Sequence, residues 1–162
     1  MDNDNQQIGV LFVCLGNICR SPMAEAVFRH LVNEAGLSER VLIDSAGTGN
    51  WHTGKPPHEG TRRILDQYAI SYEGLAARQV AVDDFSRFNY IVAMDNQNEQ
   101  DLHALARKAD AKIVKLLDLV PESKLKEVPD PYFTGNFEEV YEMVQQGCRA
   151  LLELIRQEAP QV

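Results

Sequence analysis

With 162 residues, 44% of them hydrophobic and 25% charged, the chain can bury a substantial core, and its ordinary composition excludes a disordered or fibrous protein. A net charge of -8 leaves no diffuse basic field, so nonspecific nucleic-acid binding is excluded and any phosphate must be gripped locally. The polar start MDNDNQQ, the lack of a membrane-length apolar run and an odd count of three cysteines predict one cytoplasmic domain over 1–162, with reduced thiols and no membrane attachment.

IGVLFV at 8–13 reads as a buried strand. A short polar loop follows, then a helix with Ser21 as N-cap, Pro22 at its first position, and Met23, Ala26, Val27, His30 and Leu31 on one face. Gly36 stops that helix. RVLID at 40–44 is the second strand, 45–57 is irregular and holds Trp51, and a helix is predicted over 58–69. NYIVAM at 89–94 and AKIVKL at 111–116 are further strands, separated by a helix over 97–108. The irregular stretch 117–136 contains DPYF. Asn136 then caps a long helix whose apolar stripe is Phe137, Val140, Tyr141, Val144, Cys148, Leu151, Leu152 and Ile155. Strands alternating with helices predict an α/β fold with a four-stranded parallel sheet, covered on both faces and joined by right-handed crossovers.

In such sheets ligands bind beyond the carboxyl ends of the strands, where the loop 14–21 lies. Its pattern is C-x5-R followed by Ser-Pro and a helix. Gly16 and Asn17 tolerate the left-handed backbone that turns successive amides inward, and those amides with the helix dipole suit a tetrahedral oxyanion. Arg20 can add a bidentate grip on two phosphate oxygens. The same positive groups favour an anionic Cys14 sulfur, which could attack a bound phosphate and form a cysteinyl-phosphate. A nucleotide-binding loop of the form G-x-x-x-x-G-K-[ST] is absent, and Cys14, Cys19 and Cys148 lack zinc-ligand spacing. No metal and no cofactor is called for.

VCLGNICRSP resembles the signature of the low-molecular-weight protein tyrosine phosphatases, and the likeness continues through DSAGTGNW, AARQV, DDF, YIVAMD and DPYF. The resemblance implies a three-layer, flavodoxin-like sheet of strand order 2-1-3-4. It implies Cys14 as nucleophile and Arg20 as phosphate clamp, with Ser21 hydrogen-bonded to the thiolate. The backbone amides of Leu15, Gly16, Asn17, Ile18, Cys19 and Arg20 would hold the three nonbridging oxygens, and Asn17 with Ser45 would fix the loop. Asp130, which alone would read as a turn residue before Pro131, becomes the general acid and then base. Trp51 and Tyr132 become the aromatic walls of a slot deep enough to select phosphotyrosine by reach.

Ile18 supports phosphotyrosine as substrate, because relatives acting on phosphoarginine carry threonine there. Cys19 beside the nucleophile is a candidate redox partner for oxidised Cys14, or a packed loop thiol; Cys148 reads as core. Two positions depart from the pattern. Leu75 stands where many relatives have a histidine supporting the phosphate loop, and Phe133 replaces a tyrosine of some eukaryotic members. His30, His52, His58 and His103 are assigned no role, His30 lying near an apolar face and the others reading as exposed.

The expected partners are tyrosine-phosphorylated proteins. The chain is expected as a monomer able to self-associate weakly, since a surface that accepts phosphotyrosine could bury a neighbour's tyrosine. Two other functions fit parts of the pattern. An arsenate reductase would need further cysteines, and 75–94 has none; a noncatalytic phosphotyrosine-binding module would not need both Cys14 and Asp130.

Overall fold

The structure, a computed structural model, describes residues 7–106 and 111–160. Strands β1 (Ile8–Cys14), β2 (Val41–Gly47), β3 (Tyr90–Ala93) and β4 (Lys112–Lys115) form a wholly parallel sheet in the order β2-β1-β3-β4, as expected. Ile8 lies opposite Val41, Val10 opposite Tyr90, and Tyr90 opposite Lys112. Helices α1 (Arg20–Glu34), α2 (Glu59–Gln67), α3 (Asp84–Arg87), α4 (Asn96–Leu105), α5 (Pro131–Thr134) and α6 (Phe137–Glu158) complete the fold with a 3-10 turn, Leu116–Leu119.

Because strand side chains alternate between faces, β1 and β3 feed two cores. Val10, Phe12, Tyr90 and Val92 pack with α1, α2 and α6, where Phe12 meets Phe28 edge to face at 5.5 Å. Leu11, Val13, Ile91 and Ala93 pack on the opposite side with Phe85 of α3 and Leu102 of α4. Both central strands are therefore apolar without interruption, which is why their sequences show no polar alternation. β1 has β2 on one side and β3 on the other, so its carboxyl end at Cys14 sits where the chain's winding direction reverses.

Several boundaries differ from expectation. β2 runs three residues past 44, because Ser45, Ala46 and Gly47 continue the ladder against Phe12, Val13 and Cys14. Serine and glycine are weak strand formers, so only pairing reveals this extension. The first helix begins at Arg20, and Ser21 is not its cap: Cys19 holds that position with no side-chain bond, while the Ser21 hydroxyl is engaged with Cys14 and Asn17. The helix predicted over 97–108 starts at Asn96, capped by Asp95, and residues 107 and 108 lie outside the described residues. α3, α5 and the 3-10 turn, four residues each, are too short to show a period. Asn136 caps α6 as expected, accepting from the Glu139 N–H. Among the described residues, no helix is long and apolar enough to cross a membrane.

The 22-residue α6 lies against the 3-10 turn at Gly147, where an added Cβ would come 2.4 Å from the Leu116 Cγ. Leu116 is fully buried and cannot retreat. Gly147→Val is expected to lower stability by about 1–3 kcal/mol through overpacking. Urea unfolding should show this as a lower midpoint with an unchanged slope.

Candidate active site

β1 delivers Cys14 to the sheet's carboxyl edge, where only 3% of it is exposed, and α1 opens six residues later with Arg20. Between them Asn17 adopts φ +57°, the left-handed geometry that folds the loop back beneath the helix N-terminus. The Cys14 Sγ lies 3.0 Å from Ser21 Oγ and 3.4 Å from the Ser21 N–H. Donors from the first helical turn thus face the sulfur instead of an N-cap side chain.

Arg20 is 2% exposed and its two edges are used differently. Nη1 donates to Asp95 Oδ2 at 2.7 Å and to the Val128 carbonyl at 2.9 Å. Nη2 stands 3.5 Å from Asp130 Oδ2, and the buried Nε has no partner. The Nε–Nη2 edge is therefore a fork without a tight occupant, on a residue that lines the cleft.

The cleft above, about 200 Å³, is lined by Cys14, Ile18, Arg20, Trp51, Asp130 and Tyr132, with His52 and Phe133 at its wall. Leu15, Gly16 and Cys19 also border it. Asp130 caps α5, its Oδ1 accepting from the Tyr132 N–H at 3.1 Å. Trp51 and Tyr132 are 60% and 55% exposed, so their rings are available to a ligand. Trp51 rests on Gly49, whose added Cβ would meet the indole at 2.1 Å. The expected site residues converge here, apart from Asn17, Ser21 and Ser45, which lie beneath the loop rather than on the cleft wall. Burial raises the Cys19 thiol to about 12, followed by the effect of nearby Cys14, so Cys19 holds its proton at neutral pH. Cys148 is fully buried in the core, as expected.

A family model described as low molecular weight phosphotyrosine protein phosphatase matches residues 9–161. The chain belongs to that family. It is 54% identical over 152 residues to the low molecular weight protein-tyrosine-phosphatase YfkJ of Bacillus subtilis, covering 93% of this chain and 97% of that one. PtpA of Staphylococcus epidermidis is 45% identical, covering 94% of this chain and 96% of PtpA. The crystal structure of YfkJ superposes with a TM-score of 0.92 at 53% identity, covering 95% and 98% of the two chains.

In this family member two histidines read as exposed and idle are neither. His52 is half-buried in the cleft wall, its ring 6.5 Å from Tyr132, and His58 caps α2 through Nδ1 while stacking on Phe137 at 5.2 Å. Histidine is an uncommon cap, so composition offered no signal for His58. Asp95, Arg78 and Glu25 were also missed as site residues. Asp95 stood inside the recognised YIVAMD and Arg78 inside AARQV, whereas Glu25 is an ordinary helix charge until the chain folds.

Leu75, in place of the histidine suggested by the resemblance, is half-buried against the core and leaves the loop support to others. Asn17 Nδ2 donates to Ser21 Oγ at 2.7 Å and to Ser45 Oγ at 3.0 Å, while its Oδ1 accepts from the Arg78 N–H at 3.0 Å. The Ser45 hydroxyl in turn donates a hydrogen bond to Glu25 Oε1 at 2.6 Å. Both amide protons of Asn17 are thereby spent, and the Ser21 hydroxyl has two further neighbours, Cys14 Sγ at 3.0 Å and the Ala46 carbonyl, which accepts from it at 3.4 Å. Glu25, 6% exposed, is the network's terminal acceptor.

Burial raises the Glu25 pKa from 4.5 to about 7; Asp44 adds to the rise, while the Ser45 bond, Arg29 and Arg78 oppose it. Between those values the folded state keeps a proton that the unfolded state releases, so Glu25 costs stability progressively as pH rises from about 4.5 to about 7. Glu25→Gln keeps an acceptor for Ser45 and cannot ionise. Its stability relative to wild type is expected to rise across that window and stay level above it. Denaturant titrations at stepped pH would show this, and a constant difference would refute it.

Proposed function

We propose that the chain hydrolyses protein phosphotyrosine and small aryl phosphates through a cysteinyl-phosphate on Cys14, as one cytoplasmic domain and without a metal or cofactor. The observation that carries this reading is the convergence of Cys14, the free edge of Arg20 and Asp130 on one cleft with aromatic walls.

Phosphotyrosine enters with its ring between Trp51 and Tyr132. The loop amides from Leu15 to Arg20 and the Nε–Nη2 edge of Arg20 hold the three nonbridging oxygens, and this grip tightens as charge spreads over them in the transition state. Cys14 Sγ attacks phosphorus, forming the S–P bond as the P–O bond to the phenol breaks. Asp130 gives its proton to the departing phenolate oxygen. Water then yields a proton to Asp130 and its oxygen attacks phosphorus, cleaving the S–P bond and releasing inorganic phosphate and the Cys14 thiolate. With Cys14 as thiolate, the Ser21 hydroxyl 3.0 Å away is placed to donate to the sulfur, which stabilises it as attacking and as leaving group.

Hydrolysis of an aryl phosphate in the presence of EDTA tests the scheme. Wild type is expected to be active. Cys14→Ser should lose roughly three orders of magnitude or more, and Asp130→Asn about 10²- to 10⁴-fold. Full activity in Cys14→Ser would exclude the covalent intermediate, while an inactive wild type that still binds phosphotyrosine would make the chain a binding module. Faster turnover of phosphoarginine than of phosphotyrosine would overturn the reading of Ile18.

A further inference from the structure

Glu25 joins a second face of the molecule to the phosphate loop. It lines a groove of about 510 Å³ that shares no lining residue with the catalytic cleft. Its carboxyl can therefore exchange a proton with water while the cleft is occupied. From Glu25 an unbroken run of hydrogen-bond contacts leads to Cys14. Ser45 Oγ donates to Glu25 Oε1 at 2.6 Å, Asn17 Nδ2 donates to Ser45 Oγ at 3.0 Å and to Ser21 Oγ at 2.7 Å, and Ser21 Oγ lies 3.0 Å from the sulfur. All five residues are buried, so water does not replace a lost partner.

The protonation state of Glu25 decides which way this run is polarised. A carboxylate only accepts, so a charged Glu25 commits the single Ser45 proton outward and leaves the Ser45 oxygen to the Asn17 N–H. A protonated Glu25 has two choices. It can present its own proton to Ser45, in competition with Asn17, or offer a neutral acceptor whose bond is about half as strong as a charge-assisted one. The first weakens the Asn17 bond directly, and the second loosens Ser45 itself. Either way Asn17 is held less firmly in its left-handed geometry. Burial is the largest influence on Glu25, and the charged groups facing it come from three elements: Asp44 of β2, Arg29 of α1, whose Nη1 is 3.8 Å from Oε2, and Arg78 of the 77–80 segment. His30 lines the same groove but is paired with Glu34 at 3.3 Å, and the groove's other polar residues, Gln7, Asn33, Ser38 and Ser71, do not titrate.

We infer that Glu25 is a positioning residue for the phosphate loop: its charged form, acting through Ser45 and Asn17, makes the loop grip an oxyanion more tightly than its protonated form does. As a statement about rate this rests on the phosphatase reading above; as a statement about phosphate affinity it rests on the loop alone. The sign of the effect is diagnostic. A negative charge acting only through space would weaken anion binding, whereas one acting through the hydrogen bonds strengthens it.

The test compares wild type with Glu25→Gln, which keeps an acceptor for Ser45 and cannot ionise. Two quantities are read from about pH 5 to about pH 8.5: kcat/KM for p-nitrophenyl phosphate, and the Kd of inorganic phosphate from the fluorescence of Trp51, the only tryptophan. Ionisation of the substrate and of free phosphate is common to both proteins and cancels in their ratio. The advantage of wild type should be absent at the acid end and rise, through a midpoint at about 7, to about fivefold at the alkaline end, in kcat/KM and in phosphate affinity alike. In a Ser45→Ala background Glu25→Gln should have no such pH-dependent effect, an outcome that a general change in stability would not produce. A flat or falling ratio, or a rise that persists without Ser45, would overturn the inference. Should Ser45→Ala fail to fold, the ratio between wild type and Glu25→Gln decides. A wild type inactive on p-nitrophenyl phosphate would overturn the phosphatase reading while phosphate affinity still decides this one, and a wild type that also fails to bind phosphate would overturn both.

Discussion

The left-handed backbone of Asn17 is the constraint on which the active site depends. It turns the chain leaving β1 so that the loop wraps around one point before α1 begins. For an L-residue this geometry costs about 1–2 kcal/mol, and less for asparagine, whose side chain can bond locally. Three hydrogen bonds at the Asn17 amide, two donated to Ser21 and Ser45 and one accepted from the Arg78 N–H, offset that cost at about 1 kcal/mol net each. They also fix Ser21 Oγ at 3.0 Å from the Cys14 sulfur. Arg78 is itself secured by Asp44 and by both oxygens of Asp84, so β2, α3 and the 77–80 segment share in holding one asparagine.

Arg20 illustrates how burial and readiness are reconciled. A guanidinium removed from water is costly unless paired, and Asp95 with the Val128 carbonyl meets that need along one edge. The other edge stays directed into the cleft beside Asp130. Asp95 is fixed in turn by a reciprocal capping box with Asn98 at the start of α4. The Arg20 guanidinium is therefore held in a fixed position by its own protein partners.

The mouth follows a different rule. Its aromatic residues come from the irregular segment holding Trp51 and from the short α5 rather than from the sheet, and Phe133 is 77% exposed beside Tyr132. Packing does not hold them in a core, and Trp51 is placed mainly because Gly49 lets the indole approach the backbone. The rigid chemistry at the floor and the accessible aromatic surface at the rim are thus supplied by separate parts of the chain.

The strands, the long α6 and the loop C-x5-R were legible in the sequence, because buried strands and amphipathic helices carry periodic patterns and the loop's glycine, asparagine and arginine are local requirements. Asp130 was legible only through resemblance, since an aspartate before proline is by itself a turn. The tertiary structure decided what lies more than a turn apart. It made Glu25 a buried acceptor, aimed Asp95 at Arg20, enlisted the Arg78 N–H beneath the loop, and took Ser21 from helix cap to partner of Cys14. Each of those roles depends on a distance between residues 7 to 75 positions apart, and a one-dimensional pattern of polar and apolar residues holds no record of such distances.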